Sequence, residues 1–434
     1  MERYGHVDRF QFLANQAGNT DHAAQQDLNS YKKGQMPNAK DLGHFPPTPP
    51  GALKSITTAS GKEHARYRKL LAPAFSPKAL EEQQPIINKY VDQLIQVLSG
   101  ESGKNPVDIS SFLHWTLFDI IGDLTFGESF GGLEFKRYDP WIQSVFYYIK
   151  LGRIAGYLSH QFWIVRKILP YIIPQKIREK QAAHYQRTSK TLKTRLDKGA
   201  TERPDFMSLI LRNQGKDDEL TFQEMVPNAS SLILAGSETT STLLSGAIFL
   251  LAQHREVYKK ASTELRDTFR KDSNITFREV DKLPYLDAVL KESLRLYPPI
   301  PAGLDRIVAD PAGITVAGHW LPQGTMASVH QLAANTYSEC WVGSTSFIPE
   351  RWLGDPKFEH DERDILQPFN VGPRDCIGRN LAYINMRLIL ARILHKFDIQ
   401  LVNEGQDWIG EQKIYSAWEK LPLTVYLRSA PVAA

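Results

Sequence analysis

Cys376 is the residue of this chain whose type and surroundings are best suited to chemistry. It stands in the stretch FNVGPRDCIG, residues 369–378, beside a pattern that predicts an amphipathic helix over 377–395. The positive end of a helix stabilises a thiolate, which makes such a cysteine a nucleophile or a metal ligand. Arg374 adds a cation suited to a carboxylate. This stretch alone favours a different interpretation, a buried structural cysteine beside a turn, which is the usual fate of a lone cysteine.

A second group of polar residues interrupts a long apolar pattern at AGSETT, residues 235–240. A glycine inside a helix costs about 0.5–1 kcal/mol relative to alanine, and an acid among apolar residues must be paired or solvated. Gly236 and Glu238 are therefore unusual choices for a plain core helix. Thr239 and Thr240 either take part in chemistry or simply hydrogen-bond to the preceding turn and bend the helix.

Two pairs of charged residues have helical spacing. Glu292 and Arg295 lie three apart in KESLRLYPPIP, and His64 and Arg68 lie four apart in GKEHARYRKLL. Each spacing places both side chains of a pair on one face of a helix. Taken alone, Glu292 and Arg295 are typical of a solvated ion pair, which contributes roughly a few tenths of a kcal/mol. His64 and Arg68 alone are typical of a surface helix with scattered charges.

Most of the elements that must position these residues are predicted to be helices, because their apolar residues recur with helical spacing. Strand patterns are confined to GITVAGHWLPQGTMASVHQ, residues 313–331, and LPLTVYL, residues 421–427. The sequence therefore predicts a mainly α fold with a small β part. The predicted helices cover 80–98, 109–121, 175–197, 222–253, 255–271, 284–296 and 377–395.

The composition excludes some classes of protein. The 434 residues are 42% hydrophobic and 23% charged, which is typical of a globular protein. Lys and Arg number 52 against 48 Asp and Glu, a net charge of +4 that argues against a nucleic-acid partner. Two cysteines make no disulfide framework, which favours a reducing, intracellular setting. The second cysteine, Cys340, stands in TYSECWVGS, a stretch typical of a polar loop.

No membrane-spanning segment is predicted. Residues 1–34 contain no apolar run of the kind found in signal peptides or transmembrane anchors. Residues 228–254 are long enough to span a bilayer, but Glu238 and many Ser and Thr residues stand at their centre, where burial in lipid is costly. The expected structure for this segment is a buried central helix.

The stretch around Cys376 resembles a known signature. FNVGPRDCIG matches without a gap the heme-binding signature of the cytochrome P450 family, whose fixed positions recur here as Phe369, Gly372, Arg374, Cys376 and Gly378. The resemblance implies a cytochrome P450 fold around a buried heme b (iron protoporphyrin IX). It also implies that Cys376 is the thiolate ligand of the iron and that Arg374 pairs with a heme propionate. Phe369 and Gly378 complete the cofactor-binding loop, and Gly378 lets the loop amides reach the sulfur.

AGSETT resembles the segment of the family's central helix that lies over the heme. The resemblance implies that Gly236 makes room for bound oxygen. It also implies that Glu238 and Thr239 manage water and deliver protons during oxygen activation.

Two further motifs of the family are present in the chain. Glu-x-x-Arg followed by PERW resembles the family's folding clamp, which implies that Glu292, Arg295 and Arg351 are structural and do not touch the substrate. His64 and Arg68 stand where the family usually has Trp and Arg to bind a heme propionate, and an imidazole N–H can still donate to a carboxylate.

The resemblance implies a heme-thiolate monooxygenase that inserts one oxygen of O2 into a hydrophobic small molecule. Its electrons come from NADPH through NADPH–cytochrome P450 reductase. QPFNVGPRDCIGRNLAY and WEKLPLTVYL are similar to fungal secondary-metabolism members of the trichothecene (isotrichodermin) C-15 hydroxylase type, which implies a polycyclic substrate. One alternative is a heme-thiolate isomerase or dehydratase, against which Glu238 and Thr239 argue. Another is a decayed, non-catalytic heme binder, against which the full set of motifs argues.

The resemblance also implies one cytochrome P450 domain over 1–434. The similarity is good from about residue 53, with a divergent or truncated segment at 1–52 in which RYGHVDRF resembles the family's first strand. We expect a monomer at the endoplasmic reticulum membrane surface, without a transmembrane anchor in this chain. The aromatic and basic residues of 145–173 suit either peripheral membrane contact or a buried lining of the substrate pocket.

Overall fold

The computed structural model describes residues 21–30, 35–42, 53–137, 174–199, 203–211 and 219–430, with a few single positions between 152 and 168. These residues form two compact units. The first unit contains the described residues up to 41, then 91–113 and the chain from 239 onward; the second contains those from 42 to 90 and from 114 to 238. The presence of a single domain over the whole chain stays a prediction.

Helices dominate both units, as the sequence predicts. They are α1 Asp21–Asn29, α2 Gly61–Leu71, α3 Pro77–Glu101, α4 Ile109–Phe126, α5 Gly132–Phe135, α6 Gln175–Asp197, α7 Phe206–Leu211, α8 Phe222–Gln253, α9 Arg255–Thr268, α10 Phe277–Val280, α11 Pro284–Leu296, α12 Gln331–Asn335 and α13 Arg379–Lys396. The bounds of α6, α8 and α11 are those that the periodicity predicts. Helix α4 runs past its predicted end at 121 because Leu124 and Phe126 are also buried. Helix α9 ends before its predicted end at 271, since the backbone is extended at Phe269.

Every strand in the described residues belongs to the first unit, and all of them pair antiparallel. One sheet has the order β1 Ala39–Lys40, β3 Arg306–Ile307, β6 Met326–Ala327, and a second has the order β2 Val107–Asp108, β10 Thr424–Ser429, β7 Phe397–Leu401. Two hairpins pair β4 Ile314–Val316 with β5 His319–Leu321 and β8 Lys413–Ile414 with β9 Trp418–Glu419. The predicted mainly α fold with a small β part is confirmed.

Aromatic side chains pack around the second half of α8 in the core of the first unit. The Tyr297 ring stacks on Trp418, with centroids 4.5 Å apart, and packs against Trp408 at 5.6 Å. A Cβ added at Gly246 of α8 would lie 2.2 Å from Cδ1 of Tyr297. Glycine at this position therefore lets the aromatic core approach the backbone of α8 closely.

In the second unit, α4 packs closely on the first half of α8. A Cβ added at Gly236 would lie 2.8 Å from Cδ1 of Ile121 in α4. This contact gives Gly236 a packing role, whereas its role in making room for oxygen stays a prediction. The hydroxyl of Tyr67 in α2 donates to Glu224 at 3.3 Å, which joins α2 to the start of α8.

Two segments with predictions lie outside the described residues: RYGHVDRF near the start and most of 145–173. Within the second segment Phe162 and Ile168 are described, and their exposed fractions are 57% and 46%. Among the described helices, only α8 is long and apolar enough to span a membrane, and 72% of its apolar window is buried inside the protein. That burial agrees with the prediction of a central core helix.

Candidate active site

Cys376 lies in a tight loop that leads into α13. The loop contains a 3-10 turn at Gly372–Arg374, and the backbone N–H of Cys376 donates to the carbonyl of Phe369 at 2.8 Å. The helix begins at Arg379, slightly later than predicted, with Gly378 as its N-cap. The exposed side chain of Cys376 therefore stands just before the positive end of α13, where a thiolate is favoured.

Gly372 shapes this loop through its backbone. Its φ is +79°, and a Cβ added there would lie 2.3 Å from the carbonyl oxygen of Asn29 in α1. Both the conformation and the close approach exclude a side chain. The ring of Phe369 packs against Tyr383 of α13, with centroids 5.1 Å apart. Contacts within the first unit thus hold the loop between α1 and α13.

Cys340 lies in a turn after α12, where the sequence predicts a polar loop, and its side chain is buried. Its side chain is 1% exposed and packs in a cluster with Ala334, Trp341 and Ile365. The preceding Glu339 is exposed, so the polar residues of TYSECWVGS face solvent while Cys340 faces the core. The composition of a loop does not reveal which side chains it turns inward. Cys376 is therefore the accessible cysteine of the two.

Arg374 of the Cys376 loop is close to two further cations of the first unit. These are Lys40 in β1 and Arg306 in β3, which face each other across the strand pair. The pKa of Lys40 is lowered to about 7, first by burial and then by the charges of Arg374 and Arg306. The pKa of Arg306 is lowered to about 10 by burial and by Arg374. Cations crowded in this way form a site suited to an anion.

The surroundings of Arg306 indicate whether the carboxylates of a heme fit this cationic site. Its side chain is 3% exposed, and its Nη2 atom makes no hydrogen bond to any residue that the structure describes. Nη1 of Arg306 donates to the carbonyls of Leu304 and Asp305, so the acceptor that is missing is one for Nη2. A buried N–H without an acceptor is costly, and heme propionates are acceptors of matching charge and geometry. The residues therefore fit the group. The sequence analysis found Arg374 but missed Lys40 and Arg306, because the strand pairing that joins them is not a local property of the sequence.

Glu238 and Thr239 are consecutive residues of α8, and both are half-buried. The Oε2 atom of Glu238 lies 3.1 Å from Nδ1 of His114, a residue of α4 in the same unit as Glu238. The acid is thus paired, as its partial burial requires. The sequence analysis did not single out His114, since nothing near it in the chain distinguishes it from an ordinary core histidine.

His64 and Arg68 lie one helical turn apart on α2, as their spacing predicts. His64 is 6% exposed and Arg68 is half-buried. Binding of a heme propionate by these two residues stays a prediction.

Glu292, Arg295 and Arg351 form a buried charged network in the first unit. Arg295 donates to the Glu292 carboxylate through Nη2 at 2.7 Å and Nε at 3.0 Å, and Arg351 donates to it through Nε at 3.0 Å. All three side chains are 0% exposed. The indole N–H of Trp352 and the backbone N–H of Ile348 also donate to this carboxylate, at 2.9 Å and 3.0 Å. Glu292 is therefore a counter-charge that two buried guanidinium groups share.

Both arginines extend the network to other segments of the first unit. Arg295 donates to the carbonyl of Asn335 at 2.8 Å. Arg351 pairs with Asp361 and donates to the carbonyl of Val342 at 3.0 Å. The network thus joins α11 to the loops that follow α12, which is the arrangement expected of a structural clamp.

These features together are those of a heme-thiolate protein. A mainly α fold presents an accessible cysteine just before a helix, and crowded cations beside that cysteine suit the carboxylates of a porphyrin. An acid and a hydroxyl stand side by side on a long buried helix.

The chain belongs to the cytochrome P450 family, whose model, described as Cytochrome P450, matches residues 22–424. An averantin hydroxylase of Dothistroma septosporum is 42% identical over 89% of this chain and 74% of the relative. A trichothecene C-4 hydroxylase of Trichoderma arundinaceum is 41% identical over 84% of this chain and 74% of the relative. A trichothecene C-15 hydroxylase of Fusarium sporotrichioides is 38% identical over 93% of this chain and 82% of the relative.

The family and these relatives define the class of reaction. The chain is a P450 monooxygenase of fungal secondary metabolism, in a family that uses heme, O2, a redox partner and hydrophobic substrates. The predictions of the family, of the fold and of monooxygenase activity are confirmed, as is the similarity to trichothecene C-15 hydroxylases.

Proposed function

We propose that Cys376 is the thiolate ligand of a heme b iron in this monooxygenase. The observation that supports this role most strongly is the exposed Cys376 side chain in a loop whose Arg374 is crowded by Lys40 and Arg306. These cations hold the heme propionates, and Phe369 and Gly378 belong to the same binding loop. With heme bound, the site supplies the activation of O2 and the insertion of one oxygen atom into a C–H bond.

The polar residues of α8 and α2 complete the proposed chemistry. Glu238 takes protons from water and passes them on, and the Thr239 hydroxyl holds the proton donor in place through a hydrogen bond. His64 and Arg68 donate to a heme propionate, with the imidazole N–H replacing the indole N–H that is usual in the family. Glu292, Arg295 and Arg351 hold the fold and do not touch the substrate.

The proposed partners follow from the relatives and the family. Electrons come from NADPH through NADPH–cytochrome P450 reductase, and the protein works as a monomer at the endoplasmic reticulum membrane surface. Relatives are named for hydroxylation of averantin and of trichothecenes, so the proposed substrate is a hydrophobic polycyclic molecule of similar size.

A carbon monoxide difference spectrum of the reduced protein tests the heme-thiolate assignment, and the expected result is the red-shifted Soret band of a thiolate-ligated heme. Reconstitution with reductase and NADPH, with averantin and a trichothecene as probes, then tests for oxygen insertion. Turnover of a peroxide substrate without NADPH would instead indicate the isomerase or dehydratase, and absence of the thiolate band would indicate a decayed binder.

The Thr239→Ala variant is expected to separate NADPH consumption from product formation. Loss of the hydroxyl disturbs proton delivery without changing the iron ligand, and general acid–base contributions are typically about 10²–10⁴-fold. NADPH oxidation should persist while hydrogen peroxide or water replaces most of the product. Thr240→Ala is the matched control, because Thr240 is the next residue of α8 and is only 3% exposed. Equal coupling in Thr239→Ala and the wild type would show that Thr239 only packs.

The Lys40→Met variant is expected to stabilise the heme-free protein and to weaken heme retention. The pKa of Lys40 is lowered from 10.5 to about 7, so below about pH 7 the folded chain must bury a charged ammonium. Folding is penalised most there, and the penalty is relieved as the pH rises from about 7 toward 10.5. The variant should therefore gain roughly 2–4 kcal/mol of stability at pH 6 and less at pH 9.

Two measurements check this result: denaturant unfolding of heme-free protein at both pH values, and heme transfer from loaded protein to apomyoglobin. Lys40→Arg is the control, because it keeps a cation that does not titrate in this range. A gain in stability that is the same at pH 6 and pH 9 would contradict the role given to the Lys40 charge. Heme transfer from Lys40→Met that is as slow as from the wild type would contradict that role as well.

A further inference from the structure

His114 is a buried titratable residue to which none of the motifs above gives a role. It lies in α4, is 2% exposed, and places Nδ1 at 3.1 Å from Oε2 of Glu238, whose side chain is 13% exposed. A carboxylate oxygen accepts hydrogen bonds, so the Nδ1–H of the imidazole donates and the tautomer is determined by the acid. The contact is therefore a charge-assisted hydrogen bond to the acid of the proposed proton path.

A ring contact within α4 also orients the imidazole of His114. Its ring stacks on Phe118, one turn further along α4, at 6.3 Å between centroids and an interplanar angle of 16°. The two helices approach closely because Gly236 has no side chain toward Ile121. Two residues further along α8, Glu238 makes its own contact with His114 of the same helix α4.

The contact with His114 restricts the rotamers that the Glu238 side chain can adopt. A hydrogen bond from a buried, fixed donor selects one carboxylate orientation and stabilises the ionised acid between proton transfers. Both effects matter to a group that must accept a proton from water and release it in one direction.

We propose that His114 is a positioning residue for the proton path, acting through Glu238; this inference rests on the proposed monooxygenase function. His114 does not touch substrate or cofactor in this role. It holds Oε2 of Glu238 and so sets the orientation of the carboxylate that exchanges protons with water.

The experiment compares His114→Phe, His114→Asn and Glu238→Gln in the heme-loaded protein. Phenylalanine keeps a ring against Phe118 and removes the donor, whereas asparagine places an amide N–H at the position of Nδ1. His184→Phe is the control, because the Nε2 atom of His184 lies 2.6 Å from the hydroxyl of Ser230, about two turns before Glu238 on the same helix α8. The carbon monoxide difference spectrum of every variant is recorded first.

The functional measurement is the stoichiometry of oxygen reduction with reductase and NADPH, which needs no known substrate. One NADPH and one proton reduce O2 to hydrogen peroxide, whereas two NADPH and two protons reduce it to two waters, so poor proton delivery raises the peroxide yield. His114→Phe should raise the ratio of peroxide to water by about tenfold, the size expected for loss of one hydrogen bond to a charged group. His114→Asn should restore most of the wild-type ratio.

Two further measurements do not depend on turnover. In ferrous, carbon-monoxide-bound protein with ¹⁵N-labelled histidine, Glu238→Gln should shift the ring-nitrogen signals of His114 and leave those of His184 unchanged. The double variant His114→Phe/Glu238→Gln should have the same peroxide ratio as Glu238→Gln alone, because His114 acts only through Glu238.

The outcomes separate this inference from the function on which it rests. Absence of the thiolate band in the wild type would overturn the proposed function itself. Suppose that His114→Phe shows a normal thiolate band and a wild-type ratio of peroxide to water; that result would overturn only the role of His114. The same holds if the His114 ring-nitrogen signals do not change in Glu238→Gln. The role of His114 would also be overturned if His114→Phe and Glu238→Gln changed the peroxide ratio independently, so that their effects multiplied in the double variant.

Discussion

Cys376→Ala is expected to abolish the thiolate Soret band completely. The proposed iron ligand is the sulfur itself, so the variant loses the bond that gives the spectrum its character. The other cysteine, Cys340, cannot replace Cys376 as the thiolate ligand, because it is 1% exposed in a cluster with Trp341 and Ile365. Its loop would have to unfold before that sulfur could reach an iron atom. The effect is therefore qualitative, and it is the largest that we expect from any single substitution.

The measurement is the carbon monoxide difference spectrum of reduced protein, together with heme content per chain. Cys340→Ala is the matched control and should keep the band, since it removes only a buried sulfur from the cluster and leaves the Cys376 loop intact. Cys376→Ser adds a second comparison, because an oxygen ligand retains some heme without the thiolate band. Loss of the band in Cys340→Ala with its retention in Cys376→Ala would overturn the assignment.

Glu292→Ala is expected to yield little heme-loaded protein. The Glu292 carboxylate accepts hydrogen bonds from Arg295, Arg351, Trp352 and the backbone of Ile348. Its removal leaves two guanidinium groups at 0% exposure without their shared counter-charge. Removing one partner from a buried ion pair costs about 3–5 kcal/mol, which is a large part of the stability of a typical protein.

Glu350→Ala is the control for this prediction. Glu350 is in the same PERW segment and pairs with Lys260, but its side chain is 27% exposed. Its loss should cost about 1 kcal/mol or less, as is usual for a surface pair. Soluble yield, heme content per chain and denaturation midpoint are compared among the wild type and both variants. Normal heme loading of Glu292→Ala with an altered product pattern would show instead that Glu292 acts on the substrate.

Many features of this protein can be predicted from short stretches of its chain. The periodicity of apolar residues gave the bounds of α6, α8 and α11, because a helix repeats its buried positions over every turn. The ten residues 369–378 identified the cysteine, the arginine and the glycine of the loop, because that loop is shaped largely by its own backbone. The positive φ of Gly372 is a local requirement of this kind.

Other features depend on residues far apart in the chain, and no local pattern contains them. Cys340 was assigned to a polar loop because its neighbours are polar, and only the packing of Trp341 and Ile365 around it shows that it is buried. Gly236 is an anomaly in the sequence of α8, but its reason is the side chain of Ile121 on another helix.

By itself, the sequence determined the family, the helical architecture and the identity of Cys376, because motif spacing and helical periodicity are properties of neighbouring residues. Only the tertiary structure placed Lys40 and Arg306 with Arg374, added Trp352 to the Glu292 network, and brought His114 to Glu238. Strand register and close helix packing decide which distant charges meet. The free energy of a buried charge depends on those partners, which the residue's own neighbours in the chain do not specify.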